Sequence, residues 1–155
     1  MKRYLLLLLF AFTFTVNGQT YLSARVVAIK DGDTVVVLDS LRTQTTLRLA
    51  EVDCPEKSQA FGARAKEFTS DAIFNTTIEY VVIDIDRYGR AIAMVYYGAD
   101  RKYLSAEIIR AGMGWHYKRY SNSEELAQLE EEARAARRGL WIDDNPIPPY
   151  EWRKN

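Results

Sequence analysis

The chain has 155 residues, 48% apolar and 27% charged, with 21 basic residues against 21 acidic ones. That length suits one domain with a single core, and the composition excludes a disordered chain. The even charge balance excludes a protein that attracts polyanions through its whole surface, so any nucleic-acid contact must come from a local patch.

Residues 1–18 have the form of a signal peptide. Met1-Lys2-Arg3 supplies a positive start, Leu5 to Val16 is an apolar run broken only by threonines, and Val16-Asn17-Gly18 offers a cleavage site before Gln19. The run is short for a spanning helix, which needs about 20 apolar residues. The expected mature chain is therefore 19–155, exported to the periplasm or secreted, with no membrane attachment after cleavage. Loss of Lys2 and Arg3 takes the basic count from 21 to 19 against 21 acidic residues, a net of −2. Cys54 is the only cysteine, which leaves no internal disulfide.

Tyr21–Lys30 alternates β-branched and polar residues and predicts a strand; Asp31-Gly32-Asp33 is a turn signal, and Thr34–Leu38 is the returning strand of a hairpin. Thr45–Val52 predicts a third strand, stopped by Pro55. Ser58 is the expected N-cap of a helix to Phe74, with Phe61, Ala65, Phe68 and Ala72 as its apolar stripe. Thr77–Asp84 and Ala91–Tyr97 predict two more strands, and Tyr103–Ala111 a short helix closed by Gly112. Ser121 with Glu124 resembles a capping box for a third helix, buried through Leu126, Leu129, Ala133 and Ala136 and ending at Gly139. The tail from Trp141 to Asn155, with three prolines, predicts an irregular strap that frays. The order β-β-β-α-β-β-α-α is that of a mainly β, α+β protein, a five-stranded OB-fold barrel with three helices.

Asp33 at a hairpin tip and Asp53 at a strand end would offer one cation two carboxylates if those points meet in space. Taken alone, Asp31 and Asp33 read first as serving an ordinary Asp-Gly hairpin turn. The Cys54 thiol is too soft for calcium, though its backbone oxygen is not. Glu56 stands behind Pro55 and is suited to act on a water. Arg48 alternates with core residues on a strand, and Arg90 follows a Tyr-Gly turn; guanidiniums in such places grip phosphate oxygens in pairs. Tyr117, Lys118, Arg119 and Tyr120 form a basic-aromatic cluster suited to bases and phosphates, or to covering the core. His116, the single histidine, is expected to be structural. Together these residues form a toolkit for phosphodiester hydrolysis with a hard divalent cation.

Asp31-Gly32-Asp33-Thr34, Arg48-Leu49 with Val52-Asp53-Cys54-Pro55-Glu56, Asp86-Arg87-Tyr88-Gly89-Arg90 and a closing Gly139-Leu140-Trp141 occur in that order. On these segments the chain resembles the staphylococcal nuclease (thermonuclease) family from Ala24 to Trp141. The resemblance implies a Ca²⁺-dependent nuclease acting on DNA and RNA, preferably single-stranded, and leaving 3′-phosphate ends. It implies Asp33, Asp53 and the Cys54 backbone oxygen as calcium ligands, and Asp31 as their outer support. It implies Glu56 acting on the water, Arg48 and Arg90 on the phosphate, and Tyr88, Lys118 and Tyr120 near the nucleotide. Cys54 stands where threonine is usual, Lys118 stands where a second tyrosine would face the nucleotide, and the segment after Glu56 is short. Arg48→Ala and Arg90→Ala are both expected to lose activity while keeping the fold. A monomer without a stable protein partner is expected. The alternative is a non-catalytic OB-fold module that holds single strands without cutting them.

Overall fold

The computed structural model describes residues 20–154; the expected signal peptide, 1–18, lies outside them. Five strands roll into a closed barrel. They are β1 (Leu22–Asp31), β2 (Thr34–Leu38), β3 (Gln44–Leu49), β5 (Thr77–Ile85) and β6 (Ala91–Tyr97). Between β3 and β5 lie a two-residue strand β4 (Val52–Asp53) and helix α1 (Gly62–Ile73). After β6 come β7 (Lys102–Tyr103), α2 (Leu104–Arg110), β8 (Trp115–His116) and α3 (Glu124–Ala135). A 3₁₀ turn at Gly139–Ile142 and a single turn α4 (Pro149–Trp152) complete the order.

The sheet runs β3-β2-β1-β5-β6, antiparallel throughout, and closes by a parallel pairing of β3 with β6 through Leu47, Arg48 and Leu49 against Ala91, Ile92 and Ala93. This is the OB-type barrel expected from the order of elements. Period-two alternation sends Val35, Val37, Leu47, Leu49, Ala93 and Val95 inward, all fully buried. The barrel is capped by α1, which packs on β1, and by α2, which packs on β6 and α3. A second apolar cluster of Trp115, Ala133, Leu140 and Trp141 lies under α3, with the two indoles edge to face at 5.2 Å.

Several local expectations are corrected. Helix α1 starts at Gly62, not at Ser58; Phe61 is its cap, left-handed at φ 66° and without a side-chain capping bond. Backbone bonds from Gln59 to Glu56 and from Gly62 to Gln59 fold the chain into turns first. A Cβ at Gly62 would stand 2.0 Å from the Glu56 carbonyl oxygen, so only glycine lets these turns close against the helix start. The buried stripe of α1 includes Thr69 and Ile73, while Phe61 lies outside the helix. The cap of α3 is Ser123, whose Oγ accepts from the Leu126 N–H at 3.2 Å; Ser121 is drawn into a different network. Ala136 is exposed at the C-cap. The third strand breaks after Leu49, because Glu51 takes φ 65° and turns Val52–Asp53 away to pair with Trp115–His116.

The tail is more ordered than a fraying strap. Arg137 pairs with Asp144 at 2.8 Å, the buried Gln59 donates to the Ile147 carbonyl at 2.5 Å, and Pro149 is buried at the start of α4. Trp152 lines a cleft of about 110 Å³ with Phe61, Trp115, Leu140 and Ile147. Among the described residues no helix is long and apolar enough to cross a membrane.

Candidate active site

The β1–β2 hairpin carries Asp33 at its tip, with Asp31 paired to Thr34 across the turn. Gly32 is required there by packing. A Cβ would lie 2.8 Å from the Ala65 Cβ and 2.9 Å from the Cys54 Cβ. Thr69 on α1 fixes the same turn by donating to the Gly32 carbonyl at 2.6 Å. The left-handed turn at Glu51 then brings Asp53 to the hairpin. The Leu49 N–H donates to the Asp33 carbonyl at 2.8 Å, and the Cys54 N–H donates to Asp33 Oδ2 at 2.7 Å.

Glu51 locks its own turn through its side chain. It accepts from Tyr103 OH at 2.9 Å and from Ser121 Oγ at 2.7 Å, and that hydroxyl also meets His116 Nε2 at 2.9 Å. Burial lowers the His116 pKa, with Glu130 opposing. His116 is buried in this network, and its Nδ1 has no hydrogen-bond partner among the described residues.

Arg48 occupies the centre of the site. Its Nη1 donates to the carbonyls of Leu49 at 2.6 Å and Val52 at 2.8 Å. Its Nη2 stands 3.1 Å from both Asp33 Oδ2 and Asp53 Oδ1. Burial opposes the charge, but Asp33 and then Asp53 outweigh it and raise the Arg48 pKa. Crowding of carboxylates is visible at Asp31, whose pKa burial and the neighbouring Asp33 push up to about 6. Burial also raises the Asp53 pKa, against the pull of Arg153 and Arg48.

Arg90 reaches the site from the β5–β6 turn. Asp86 accepts from its Nε at 2.7 Å and from its backbone N–H at 3.0 Å. Slight burial opposes ionisation of Asp86, but these bonds hold its pKa below the ordinary value. Arg90 Nη1 lies 3.5 Å from Thr34 Oγ1, which in turn donates to Asp33 Oδ1 at 3.2 Å. Tyr88 is exposed beside it, with the Arg87 and Arg90 guanidiniums 4.8 and 5.6 Å from its ring centre.

Asp33, Asp53, Arg48, Glu56 and Arg90 are thus brought to one face. Tyr120 is exposed and stacks edge to face on Tyr117 at 4.9 Å. Lys118 is tied at 2.9 Å to Glu130, a buried carboxylate of α3. Sequence reasoning missed Thr34, Thr69, Gln59 and Glu51 as supports, and it missed Arg153. The Arg153 guanidinium lies 3.0 Å from Asp53 Oδ2 and 2.7 Å from Glu56 Oε1.

Among the described residues no three His, Cys, Asp or Glu side chains form a ready metal cage. The site offers the two carboxylates on one arginine nitrogen, with backbone oxygens beside them. Such hard donors fit Ca²⁺ or Mg²⁺ with water completing the shell. Burial pushes the Cys54 thiol pKa well up, with Asp33 next.

This arrangement can be compared with known proteins. The family model described as staphylococcal nuclease homologue matches residues 46–143. The chain belongs to the staphylococcal nuclease family. An uncharacterized endonuclease of Haemophilus influenzae is 42% identical over 132 residues, 85% of this chain and 73% of that protein. An uncharacterized endonuclease of Escherichia coli O157:H7 is 37% identical over 99% of this chain and 98% of its own. A micrococcal nuclease of Shigella flexneri is 38% identical over 83% of this chain and 79% of its own. The family match covers Arg48, Asp53, Glu56 and Arg90 and begins after the hairpin that carries Asp33. Family membership and these relatives support nuclease chemistry.

Proposed function

We propose that the protein is a calcium-dependent nuclease that hydrolyses DNA and RNA, preferring single strands and leaving 3′-phosphate ends. It acts after export, in the periplasm or outside the cell, once 1–18 is removed. The observation that carries the reading is the convergence of Asp33 and Asp53, each 3.1 Å from Arg48 Nη2, beside Glu56 and Arg90.

Asp33, Asp53 and the Cys54 carbonyl would hold Ca²⁺, with Asp31 behind them. When bound, the ion polarises a phosphoryl oxygen and offsets charge that grows as water attacks. Arg48, pinned by two backbone carbonyls, presents a guanidinium that needs little reorganisation. Arg90, held by Asp86, grips the phosphate from the other side. Glu56 would take a proton from the attacking water as the P–O5′ bond breaks, and the departing 5′ oxygen would take a proton from solvent water. Tyr88 and Tyr120 offer exposed rings to the nucleotide, and Lys118 a charge near it. The chain acts as a monomer without a stable protein partner.

The mature chain from Gln19 should be incubated with heat-denatured DNA in calcium and in chelator. Degradation in calcium alone, lost in Glu56→Gln, supports the reading. Binding without cutting in calcium would make the domain a single-strand binding module and remove the roles given to Glu56 and both arginines.

A further inference from the structure

Arg153, at the end of α4, makes three contacts with the acidic site. Nη1 donates to Asp53 Oδ1 at 3.2 Å and to Glu56 Oε1 at 2.7 Å, and Nη2 donates to Asp53 Oδ2 at 3.0 Å. Asp53 Oδ1 also takes Arg48 Nη2. Both oxygens of Asp53 are therefore committed to guanidiniums. The Asp53 side chain is 2% exposed and that of Arg153 is 41% exposed. The carboxylate is fixed, and the arginine has open solvent beside it.

The segment that delivers Arg153 is anchored independently of it. Gln59 is the joint: its Nε2 donates to the Ile147 carbonyl at 2.5 Å, while its Oε1 accepts from the Glu56 N–H at 3.1 Å. One buried amide thus couples the loop of Glu56 to the strap of Arg153. Pro149 is buried, and Trp152 lines the cleft beside Phe61 and Trp115. A guanidinium tethered in this way has a high effective concentration at the carboxylates.

Resting on the calcium reading above, we propose that Arg153 is a further positioning residue of the active site. It holds Asp53 and Glu56 in the ion-free protein and is exchanged for the divalent cation. Arg153 and Arg48 together fill three of the roughly four acceptor positions on the Asp53 carboxylate, so a cation meets a crowded ligand, and its charge and that of the guanidinium repel at that distance. Ion affinity is therefore set by competition with a residue of the chain's own tail. In the ion-free state Arg153 keeps Asp53 from facing Asp33 with too little positive charge between them.

The test is calorimetric titration of Ca²⁺ alone, without nucleic acid, into the mature chain 19–155, into Arg153→Gln and into Arg153→Lys. Asp53→Asn supplies the baseline for a lost ligand. Arg153→Gln is expected to bind Ca²⁺ roughly two- to fivefold more tightly than the unaltered chain, the scale of a partly exposed ion pair. Arg153→Lys, which keeps the charge but loses the fork, is expected between the two. It also serves if Arg153→Gln does not fold. Equal affinities in all three chains would overturn the exchange while leaving the calcium reading intact. Weaker binding by Arg153→Gln would overturn it as well, making Arg153 a support for the bound state. No calcium binding and no calcium-dependent cutting by the unaltered chain would sink both readings together.

Discussion

Thr69 donates its hydroxyl to the Gly32 carbonyl at 2.6 Å, which ties the middle of helix α1 to the hairpin tip that carries Asp33. The bond is fully buried, and it fixes a turn whose other wall is Cys54. Thr69→Val keeps the shape but orphans the carbonyl, and should cost about 1–3 kcal/mol in urea unfolding. Gly32→Ala should cost a similar amount, because its Cβ meets the Ala65 Cβ at 2.8 Å and the helix must give way. Both variants should bind Ca²⁺ more weakly in calorimetry, since Asp33 loses its fixed position.

The two arginines expected to be dispensable for folding differ in structure. Arg48 is nearly buried and separates Asp33 from Asp53. Arg48→Ala takes one donor from each of two buried carboxylates and two carbonyls and removes the charge between Asp33 and Asp53, so about 3–5 kcal/mol of stability should go with the activity. Added Ca²⁺ should return part of that stability. Melting curves in chelator and in calcium check both statements; an unchanged midpoint in chelator would contradict the burial argument.

Arg90 is one-third exposed and makes its main contacts within its own turn, to Asp86. Arg90→Ala should melt close to the unaltered chain and lose about 10²–10³ in kcat, the scale of one lost transition-state donor. Asp86→Asn should lose less. It weakens the bond that aims the guanidinium without removing the charge. Steady-state cleavage of denatured DNA separates the two.

His116 gives a pH dependence of known sign. Burial holds its pKa below the unfolded value of about 6.5. The unfolded chain therefore takes up a proton that the folded chain refuses. The stability linked to neutral His116 is full above pH 6.5 and is lost as pH falls below it toward the folded pKa. Denaturant unfolding between pH 7.5 and 5 should show a shallower decline in His116→Gln than in the unaltered chain. Parallel slopes would mean that His116 does not titrate across unfolding.

The barrel was legible because strand alternation and turn residues act locally; Val35, Val37, Leu47 and Leu49 declare the inward face by spacing alone. Asp33, Asp53 and Arg90 were legible as a group only through their ordered motifs, since nothing local says that a hairpin tip and a strand end meet. The start of α1 was misread because Ser58 looks like a cap, while the deciding fact is the contact of Gly62 with the Glu56 carbonyl. Ser121 was misread for a related reason: its partners, Glu51 and His116, come from two other segments. Arg153 was out of reach, because its partners lie 97 and 100 positions away and the tail between carries only prolines and aromatics as signals.

The parallel pairing of β3 with β6 has a kinetic consequence. Leu47 and Ala91 lie 44 positions apart in the chain (91 − 47), with helix α1 and β5 between them, so this seam is costly in loop entropy and is expected to form late. Arg48 lies on one side of the seam, and Arg90 immediately precedes the other. A refolding chain should therefore regain its far-ultraviolet signal before its ability to cut, with the last phase of recovery timed by the joining of those two strands.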